Sequence, residues 1–254
     1  MTGPAEFDAL AWFYDRYWGP EYAEAVIRPL RGLLLEHLPR DRPLLDACCG
    51  TGHVTALLAR WGYRTAGFDL SPAMLARARV NVPAARLWVA DVRRCGARSG
   101  AFGAVVSTYN SLDHLPRAGG GPERALAELA RVLEPGGTLF FDLNTAESAA
   151  PAWQGSFVDR RADAVCRTES GFDPATGTGR ARLTITREGK SEEATLTLTV
   201  HPLGEVLAAL GRAGLRCRRV LTTTELGLDT LPPRLFVLAE RPREETGRPQ
   251  GKIA

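Results

Sequence analysis

Residues 44–55 constrain the fold of this chain more than any other segment. A short apolar run ends at Asp46, a Gly50-Thr51-Gly52 turn follows, and an amphipathic stretch begins at His53. Glycines allow the sharp turn that brings backbone N–H groups close to a ligand, and the N-terminus of a helix adds further unsatisfied donors. The segment therefore predicts a strand, a ligand-binding loop and the beginning of a helix.

Strands and helices alternate along the chain up to residue 143. Short apolar runs predict strands at residues 43–48, 65–69, 86–90, 103–108 and 137–143. Helical spacing predicts helices at residues 21–38, 53–61, 72–80 and 123–134. Ser71-Pro72 supplies an N-cap and a first-turn proline for the third helix, and Pro135-Gly136-Gly137 is expected to end the fourth. The alternation predicts an α/β fold in which helices cover both faces of a mostly parallel sheet.

The alternation breaks near residue 152. Between Ser156 and Val200 polar and apolar residues alternate and turn signals recur, which predicts antiparallel hairpins. A helix at residues 202–213 and strands at residues 215–222 and 234–239 are predicted to follow. The insertion falls at the edge where α/β sheets bind ligands, so it is expected to cover the site; an oligomer contact is the alternative.

These patterns predict one domain with an insertion. Residues 1–151 are expected to form a core that begins with a helical lid, and residues 152–201 an antiparallel β lid over the active site. Residues 202–241 are expected to complete the core. Residues 242–254 are polar and are predicted to be a disordered tail.

Composition argues against several classes of function. The net charge is only +3, and no basic stripe with interleaved aromatic residues is visible, so neither nucleic acid nor a membrane surface is an expected partner. The cysteines include no C-x-x-C pair and the histidines no H-x-x-x-H pair, so we expect no metal site and free, buried thiols. No signal peptide or membrane-spanning run is evident, so a cytoplasmic location is expected.

Three acidic residues each end a predicted strand, at Asp46, Asp69 and Asp91. A carboxylate after the second strand can accept hydrogen bonds from both ribose hydroxyls, which suits Asp69. Asp91 could accept from an exocyclic adenine amine, and Asp46 would either hold the loop or contact a cationic group of the ligand. Each acid alone is equally well explained as a surface or capping residue. All three in register predict a nucleoside site.

The glycine turn argues against a dinucleotide. A dinucleotide fingerprint requires a third glycine, and Thr55 stands at that position. The lysine of a phosphate-binding P-loop is also missing from the turn. The loop therefore fits a nucleoside ligand without a pyrophosphate better.

Four motifs lie at the ends of predicted strands or directly before them. They are Asp46-Ala47-Cys48-Cys49-Gly50-Thr51-Gly52, then residues 67–79 (Gly-Phe-Asp-Leu-Ser-Pro-x-Met-Leu-x-x-Ala-Arg), then Ala90-Asp91, and Leu133 with Pro135-Gly136-Gly137. Together they resemble the class I S-adenosylmethionine-dependent methyltransferases over residues 10–145 and 202–240. The resemblance implies a Rossmann-like, seven-stranded sheet and S-adenosylmethionine as cofactor. Cys48 departs from the family, which usually has a glycine there, although many members tolerate the change.

The resemblance also implies a set of cofactor-binding residues. The set comprises Tyr14, Asp46, Cys48, Gly50, Thr51, Gly52, Asp69, Leu70, Met74, Asp91, Val92 and Tyr109.

Two flanking motifs narrow the resemblance. Phe13-Tyr14-Asp15-Arg16-Tyr17-Trp18, and residues 110–116 (Asn-Ser-Leu-Asp-His-Leu-Pro), are similar to segments of glycine and amino-sugar N-methyltransferases. The match implies that Tyr14 lies near the sulfonium and that Asn110 and His114 line the acceptor pocket. Where the glycine enzymes carry a carboxylate-binding arginine, this chain has Leu143, so glycine itself is a poor candidate substrate.

The implied chemistry needs alignment and desolvation more than covalent help. An amine must be neutral to attack, and His114 suits the base because an ordinary histidine pKa is about 6.5. A loop histidine that only orients the acceptor is the alternative, and Tyr14 either closes over the sulfonium or is a core aromatic. The predicted catalytic set is Tyr14, Asn110 and His114, and the expected acceptor is the amine nitrogen of a small molecule. The oligomeric state stays open, with a homodimer as one option.

Three other functions stay open. An O-methyltransferase would use His114 to deprotonate a hydroxyl. An NAD-dependent oxidoreductase is disfavoured by Thr55 in the glycine turn. A non-catalytic nucleoside-binding module would keep the fold without turnover.

Overall fold

The computed structural model describes residues 4–243, and two sheets organise this part of the chain. The strands are β1 (Leu44–Ala47), β2 (Thr65–Asp69), β3 (Arg86–Val89), β4 (Phe102–Ser107), β5 (Leu133–Leu143), β6 (Gly155–Arg160), β7 (Val165–Asp173), β8 (Thr178–Arg187), β9 (Lys190–Thr199), β10 (Arg216–Thr222) and β11 (Leu235–Glu240). The α-helices are α1 (Pro4–Asp8), α2 (Ala11–Phe13), α3 (Gly19–Leu33), α4 (His53–Arg60), α5 (Pro72–Asn81), α6 (Gly121–Val132), α7 (Ala146–Ala152) and α8 (Leu203–Arg212). A π-helical segment, Tyr14–Trp18, joins α2 to α3.

The main sheet has seven strands in the order β10-β11-β5-β4-β1-β2-β3. β11 runs antiparallel to both of its neighbours, and the other strand pairs are parallel. The predicted seven-stranded, mostly parallel sheet is therefore confirmed. The strand order reverses between β1 and β4, and ligands of such folds bind at the carboxyl ends of the strands beside that reversal.

Consecutive residues of the central strands pack on opposite faces of the main sheet, because side chains alternate along a strand. Leu45 and Phe141 pack on the face covered by α6 and α8. Leu44 and Phe140 pack on the face covered by α3 and α4. All four side chains are fully buried. Helices thus cover both faces of the main sheet, as the alternation predicts.

The second sheet, here called the inserted sheet, consists of β6 to β9 and is antiparallel throughout. The predicted antiparallel insertion is therefore confirmed. Leu183 and Ile185 of its buried face pack against Leu10 and Phe13 of the N-terminal helices. The inserted sheet and the N-terminal segment thus share one hydrophobic cluster, although about 170 residues separate these side chains in sequence.

The structure corrects the role predicted for Pro135-Gly136-Gly137. Helix α6 ends at Val132, and these three residues lie inside β5, where its pairing with β4 shifts register. Gly136 has a φ of +82°, and its N–H donates to the carbonyl oxygen of Arg241. The segment is thus a bulge held by a neighbouring strand, and the prediction that it ends the helix is wrong.

Other boundaries differ less. Helix α3 ends at Leu33, five residues before the predicted end, because the chain tightens into a 3-10 turn at Leu35–His37. The predicted cap of α5 is confirmed, since the Ser71 hydroxyl accepts the N–H of Met74. Residues 244–254 of the predicted disordered tail lie outside the described residues.

Candidate cofactor and acceptor site

A cavity of about 440 Å³ lies at the carboxyl ends of the central strands, between the main sheet and the inserted sheet. This volume is in the range of small-molecule sites. The structure brings most of the predicted site residues to its wall, namely Tyr14, Cys48, Gly50, Asp69, Leu70, Met74, Asp91, Val92, Tyr109, Asn110 and His114.

Three predicted cofactor-binding residues do not line this cavity. Asp46 and Thr51 line a much smaller neighbouring space, whose wall also includes Tyr14 and Cys48. Gly52 lines neither space, and a Cβ added there would lie 3.0 Å from the Cβ of Ala78. The glycine therefore permits close packing of α4 against α5, which accounts for its position without any ligand contact.

Asp69 ends β2 with its carboxylate at the cavity. Its Oδ2 accepts the N–H of Gly50 at 2.9 Å, and its Oδ1 accepts the N–H of Ser71 at 2.9 Å. Burial raises the pKa of Asp69, and these N–H bonds oppose the shift. Each oxygen keeps lone-pair capacity for a further donor, so a pair of adjacent hydroxyls could bind both oxygens at once.

Asp46 is the acid that holds the loop. The Thr55 hydroxyl donates to Asp46 Oδ2 at 2.5 Å, and both residues are buried. Burial raises the pKa of Asp46 from 3.8 to about 7, although the Thr55 hydroxyl lowers it. Thr55, which replaces the third glycine of a dinucleotide site, thus ties α4 to the end of β1.

The glycine turn is built for close approach of a ligand. Cys48, Gly50 and Gly52 have φ values of +61°, +52° and +80°. Cys48 therefore adopts, as a non-glycine residue, a conformation in which glycine is favoured. Within residues 4–243, the buried hydroxyl of Thr51 has no hydrogen-bond partner. The three left-handed residues keep the turn tight, so its backbone can approach a ligand closely.

Asp91 reaches the cavity in an ion pair. Arg93 Nη2 lies 2.5 Å from Asp91 Oδ2, and the Arg93 N–H donates to Asp91 Oδ1. This arginine holds the pKa of Asp91 below its ordinary value. Arg93 also lines the cavity, and sequence reasoning missed it because Arg93-Arg94 reads as a solvated pair.

Three tyrosines cluster beside the glycine turn. The rings of Tyr14 and Tyr109 lie 5.7 Å apart, and those of Tyr22 and Tyr109 stack at 4.2 Å. Burial raises the pKa of Tyr14 well above 10, so its phenol stays protonated at neutral pH. Tyr14 begins the π-helical segment, and such segments occur often at functional sites.

Asp15 fastens the N-terminal segment to the core. Its carboxylate lies 3.0 Å from His53 Nε2 and 2.6 Å from Asn81 Nδ2, and Arg77 Nη1 lies 3.3 Å away. These partners come from α4 and α5, which flank the glycine turn. The contact keeps Tyr14 against the cavity, and no local sequence signal could have predicted partners so far along the chain.

His114 follows β4 in the 3-10 turn Ser111–His114. Its Nδ1 lies 2.8 Å from the carbonyl oxygen of Thr197 in β9, and because a carbonyl only accepts, Nδ1 carries the proton. Burial lowers the pKa of His114. Asn110 Nδ2 lies 3.5 Å from Nε2. His114 is therefore a neutral imidazole whose basic nitrogen is Nε2.

The inserted sheet supplies the far wall of the cavity, which the sequence could not identify. The wall residues from the inserted sheet are Phe157, Thr168, Ser170, Ala181, Leu183 and Leu196. Their Cα partners follow the strand register, with Phe157 opposite Thr168 and Thr168 opposite Leu183. This wall is mostly apolar and carries two hydroxyls, so it favours an acceptor with few charges.

A methyltransferase-domain family model matches residues 44–137, which span the glycine turn, Asp69 and Asp91. The chain is therefore similar to methyltransferase domains over these residues, which make up about a third of its length. The strand order of the main sheet and the motifs at its carboxyl edge agree with this similarity.

One curated protein similar to this chain is an N,N-dimethyltransferase. The chain is 35% identical over 155 residues to dTDP-3-amino-3,4,6-trideoxy-alpha-D-glucopyranose N,N-dimethyltransferase of Streptomyces venezuelae, which covers 58% of this chain and 63% of that one. The chain thus spans less than two thirds of the length of this curated relative.

Solved structures match more of the chain. Streptomyces venezuelae DesVI superposes with a TM-score of 0.69 and 28% identity, covering 91% of this chain and 96% of that one. An S-adenosylmethionine-dependent methyltransferase from Clostridium acetobutylicum ATCC 824 gives a TM-score of 0.74 at 17% identity, covering 93% and 99%. The second likeness concerns the fold alone.

The residues present fit S-adenosylmethionine, the cofactor that the motifs imply. The cavity places the Asp69 carboxylate, whose two oxygens can each accept a further hydrogen bond, beside Cys48 and Gly50 of the glycine turn. Within residues 4–243 no cluster of metal-ligating side chains is present, and no helix has the length and apolarity to cross a bilayer.

Proposed function

We propose that this methyltransferase transfers the methyl group of S-adenosylmethionine to an amine nitrogen of a small molecule. The observation that carries the proposal is His114, a neutral imidazole at the cavity wall with Nδ1 bound to Thr197. An amine nucleophile has a proton to lose, and Nε2, which carries no proton in this tautomer, is the nitrogen of His114 that can accept it. The printed activity of the Streptomyces venezuelae relative, an N,N-dimethyltransferase, supports the same choice of atom.

The proposal assigns the cofactor to the glycine-turn end of the cavity. Asp69 would accept both ribose hydroxyls, and Asp91 would accept from the adenine amine beside Arg93. Leu70, Met74 and Val92 would contact the base as apolar neighbours. When bound, S-adenosylmethionine supplies an activated methyl group on a sulfonium.

The N-terminal segment and the inserted sheet would act as lids. Tyr14 stands at the wall between the two spaces beside the glycine turn, and Asp15 fastens the segment that carries it. Exclusion of water strengthens the electrostatic interactions inside the site and protects a reactive alkylating group. In this arrangement residues 1–151 and 202–241 bind the cofactor, and residues 152–201 shape the acceptor pocket.

His114 and Asn110 would handle the acceptor. Nε2 of His114 takes the amine proton, while the Thr197 carbonyl holds the imidazole in the required tautomer. Asn110, 3.5 Å from Nε2, orients the acceptor. Because burial lowers the pKa of His114 below its ordinary value, the imidazole is mostly neutral at pH 7.

The test is the pH dependence of turnover in His114→Gln. Tritium-labelled S-adenosylmethionine is offered with a panel of amino sugars and primary amines, and labelled product is counted. We expect the variant to lose roughly 100-fold in kcat, the usual contribution of one general base. The native rate should rise with pH through the lowered pKa of His114, and the variant should lack that rise.

His201→Gln is the matched control, because His201 is a buried histidine that is not among the residues that line the cavity. It should keep the native pH profile. If His114→Gln kept the native rate at every pH, the role of His114 as a general base would be contradicted. Mass spectrometry that places the methyl group on oxygen would support the O-methyltransferase alternative.

A homodimer and the predicted cytoplasmic location belong to the same proposal. Sedimentation velocity of the purified chain decides the first, and fractionation of the producing cells decides the second. A sedimentation coefficient of a monomer at all concentrations would contradict the proposed homodimer.

A further inference from the structure

A buried ion pair stands behind the cavity wall. Arg234, just before β11, places Nη1 2.8 Å from Oδ2 of Asp142 in β5. The two side chains are 4% and 0% exposed. Burial of an ion pair is costly, and removal of one partner leaves an uncompensated charge, so such a pair in a fold needs a reason.

Asp142 also binds the corner of chain that follows β4. Its Oδ1 and Oδ2 each lie 3.1 Å from the backbone N of Asn110. Tyr109 and Asn110 are consecutive non-glycine residues with φ values of +65° and +49°. A left-handed conformation at two such residues in succession is strained, and the surrounding contacts must hold it.

Arg234 holds the same corner from its other side. Its guanidinium carbon lies 5.5 Å from the ring centre of Tyr109 and 5.8 Å from that of Tyr22. The Tyr22 hydroxyl accepts the backbone N–H of Tyr109 at 2.9 Å. The Asp142–Arg234 pair thus contacts both the backbone and the ring of the corner.

The corner carries side chains to both halves of the cavity. Tyr109 lies against Tyr14 at the proposed cofactor end, and Asn110 lies beside His114 at the proposed acceptor end. Tyr109, Asn110 and Arg234 all line the cavity. A change in this corner would therefore alter cofactor and acceptor contacts together.

We infer that Asp142 and Arg234 are positioning residues, which hold the strained Tyr109–Asn110 corner in the conformation that cofactor binding and methyl transfer require. Only the part of this inference that concerns the acceptor end of the cavity rests on the proposed function. The sequence motifs assign no role to Asp142. Its partner, Arg234, lies 92 residues further along the chain, so no local pattern indicates the pair.

The experiment uses selective labelling, because the chain has asparagine only at Asn81, Asn110 and Asn144. With ¹⁵N-asparagine in the full chain, the Asn110 amide reports the bond to Asp142, while Asn81, within α5, reports the rest of the fold. Affinity for S-adenosylhomocysteine is measured by calorimetry on the same samples.

Arg234→Met should shift the amide resonance of Asn110 and leave that of Asn81 unchanged. It should also weaken the affinity for S-adenosylhomocysteine by roughly tenfold or more, as the loss of coupled contacts at a site usually does. Arg234→Lys keeps the charge and should retain most of the affinity. Glu128→Gln breaks the Arg131–Glu128 pair away from the cavity and should leave both readouts unchanged.

If Arg234→Met lowers the melting temperature while the Asn110 amide and the affinity stay native, the pair is merely structural and the inference fails. If Arg234→Met does not fold, Asp142→Asn decides by the same two readouts. Failure of the native chain to bind S-adenosylhomocysteine would instead contradict the proposed function, and the Asn110 amide would still report the corner.

Discussion

Single residues at the glycine turn divide into those that face a ligand and those that hold the turn. Asp69 offers free acceptor capacity at the cavity, whereas Asp46 is buried against Thr55. Their spacing in the sequence is regular, so both were predicted at the same edge. Which acid faces the ligand depends on side-chain direction, which spacing does not give.

Asp46 makes stability fall as pH rises. Its folded pKa of about 7 lies above the ordinary 3.8, so between those pH values the unfolded chain loses a proton that the folded chain keeps. Asp46→Asn cannot ionise. The free energy of unfolding of this variant should equal that of the native protein near pH 4. Above pH 7 it should be higher by roughly 3–5 kcal/mol, at 1.36 kcal/mol per pKa unit.

Urea unfolding of the cofactor-free protein from pH 4 to pH 8 measures this difference. Asp41 is exposed, and Asp41→Asn is the same substitution at a surface position. It should show no such gain in the free energy of unfolding. A constant offset between Asp46→Asn and native protein across the range would contradict the buried, protonated carboxyl.

At the scale of elements, packing of α4 on α5 explains Gly52 better than ligand contact does. Gly52→Ala combines a φ of +80° with a Cβ 3.0 Å from the Cβ of Ala78. The variant should therefore lose roughly 1–3 kcal/mol of folding stability from backbone strain, and more from the clash. Gly96→Ala has a similar φ of +76° and open space around it. Thermal unfolding should therefore rank Gly52→Ala below Gly96→Ala, and equal losses would reject the packing role.

The elements themselves follow closely from sequence where local signals act alone. Strand β2 has the predicted bounds, Thr65–Asp69, and Ser71-Pro72 begins α5. The prediction failed at Pro135-Gly136-Gly137, where a local stop signal is absorbed by strand pairing with β4 and by a bond to Arg241. Tertiary pairing overrode propensity there.

At the scale of the whole molecule, the cavity is assembled from three distant parts of the chain. The N-terminal segment brings Tyr14, the main sheet brings Asp69 and His114, and the inserted sheet brings Leu183. Motifs predicted the first two parts, because Tyr14 belongs to a segment similar to known N-methyltransferases and because Asp69 and His114 follow strands. The third depends on which face of the inserted sheet meets the N-terminal helices, and periodicity alone does not decide that.

The central claim is that this edge binds S-adenosylmethionine through Asp69, and calorimetry with S-adenosylhomocysteine and NAD tests it most directly. The native chain should bind S-adenosylhomocysteine and not NAD. Asp69→Asn should bind about 100-fold more weakly, because two hydrogen bonds to a charged group together contribute roughly 3 kcal/mol. Asp41→Asn should bind like the native chain. Native affinity in Asp69→Asn, or binding of NAD in place of S-adenosylhomocysteine, would contradict the account.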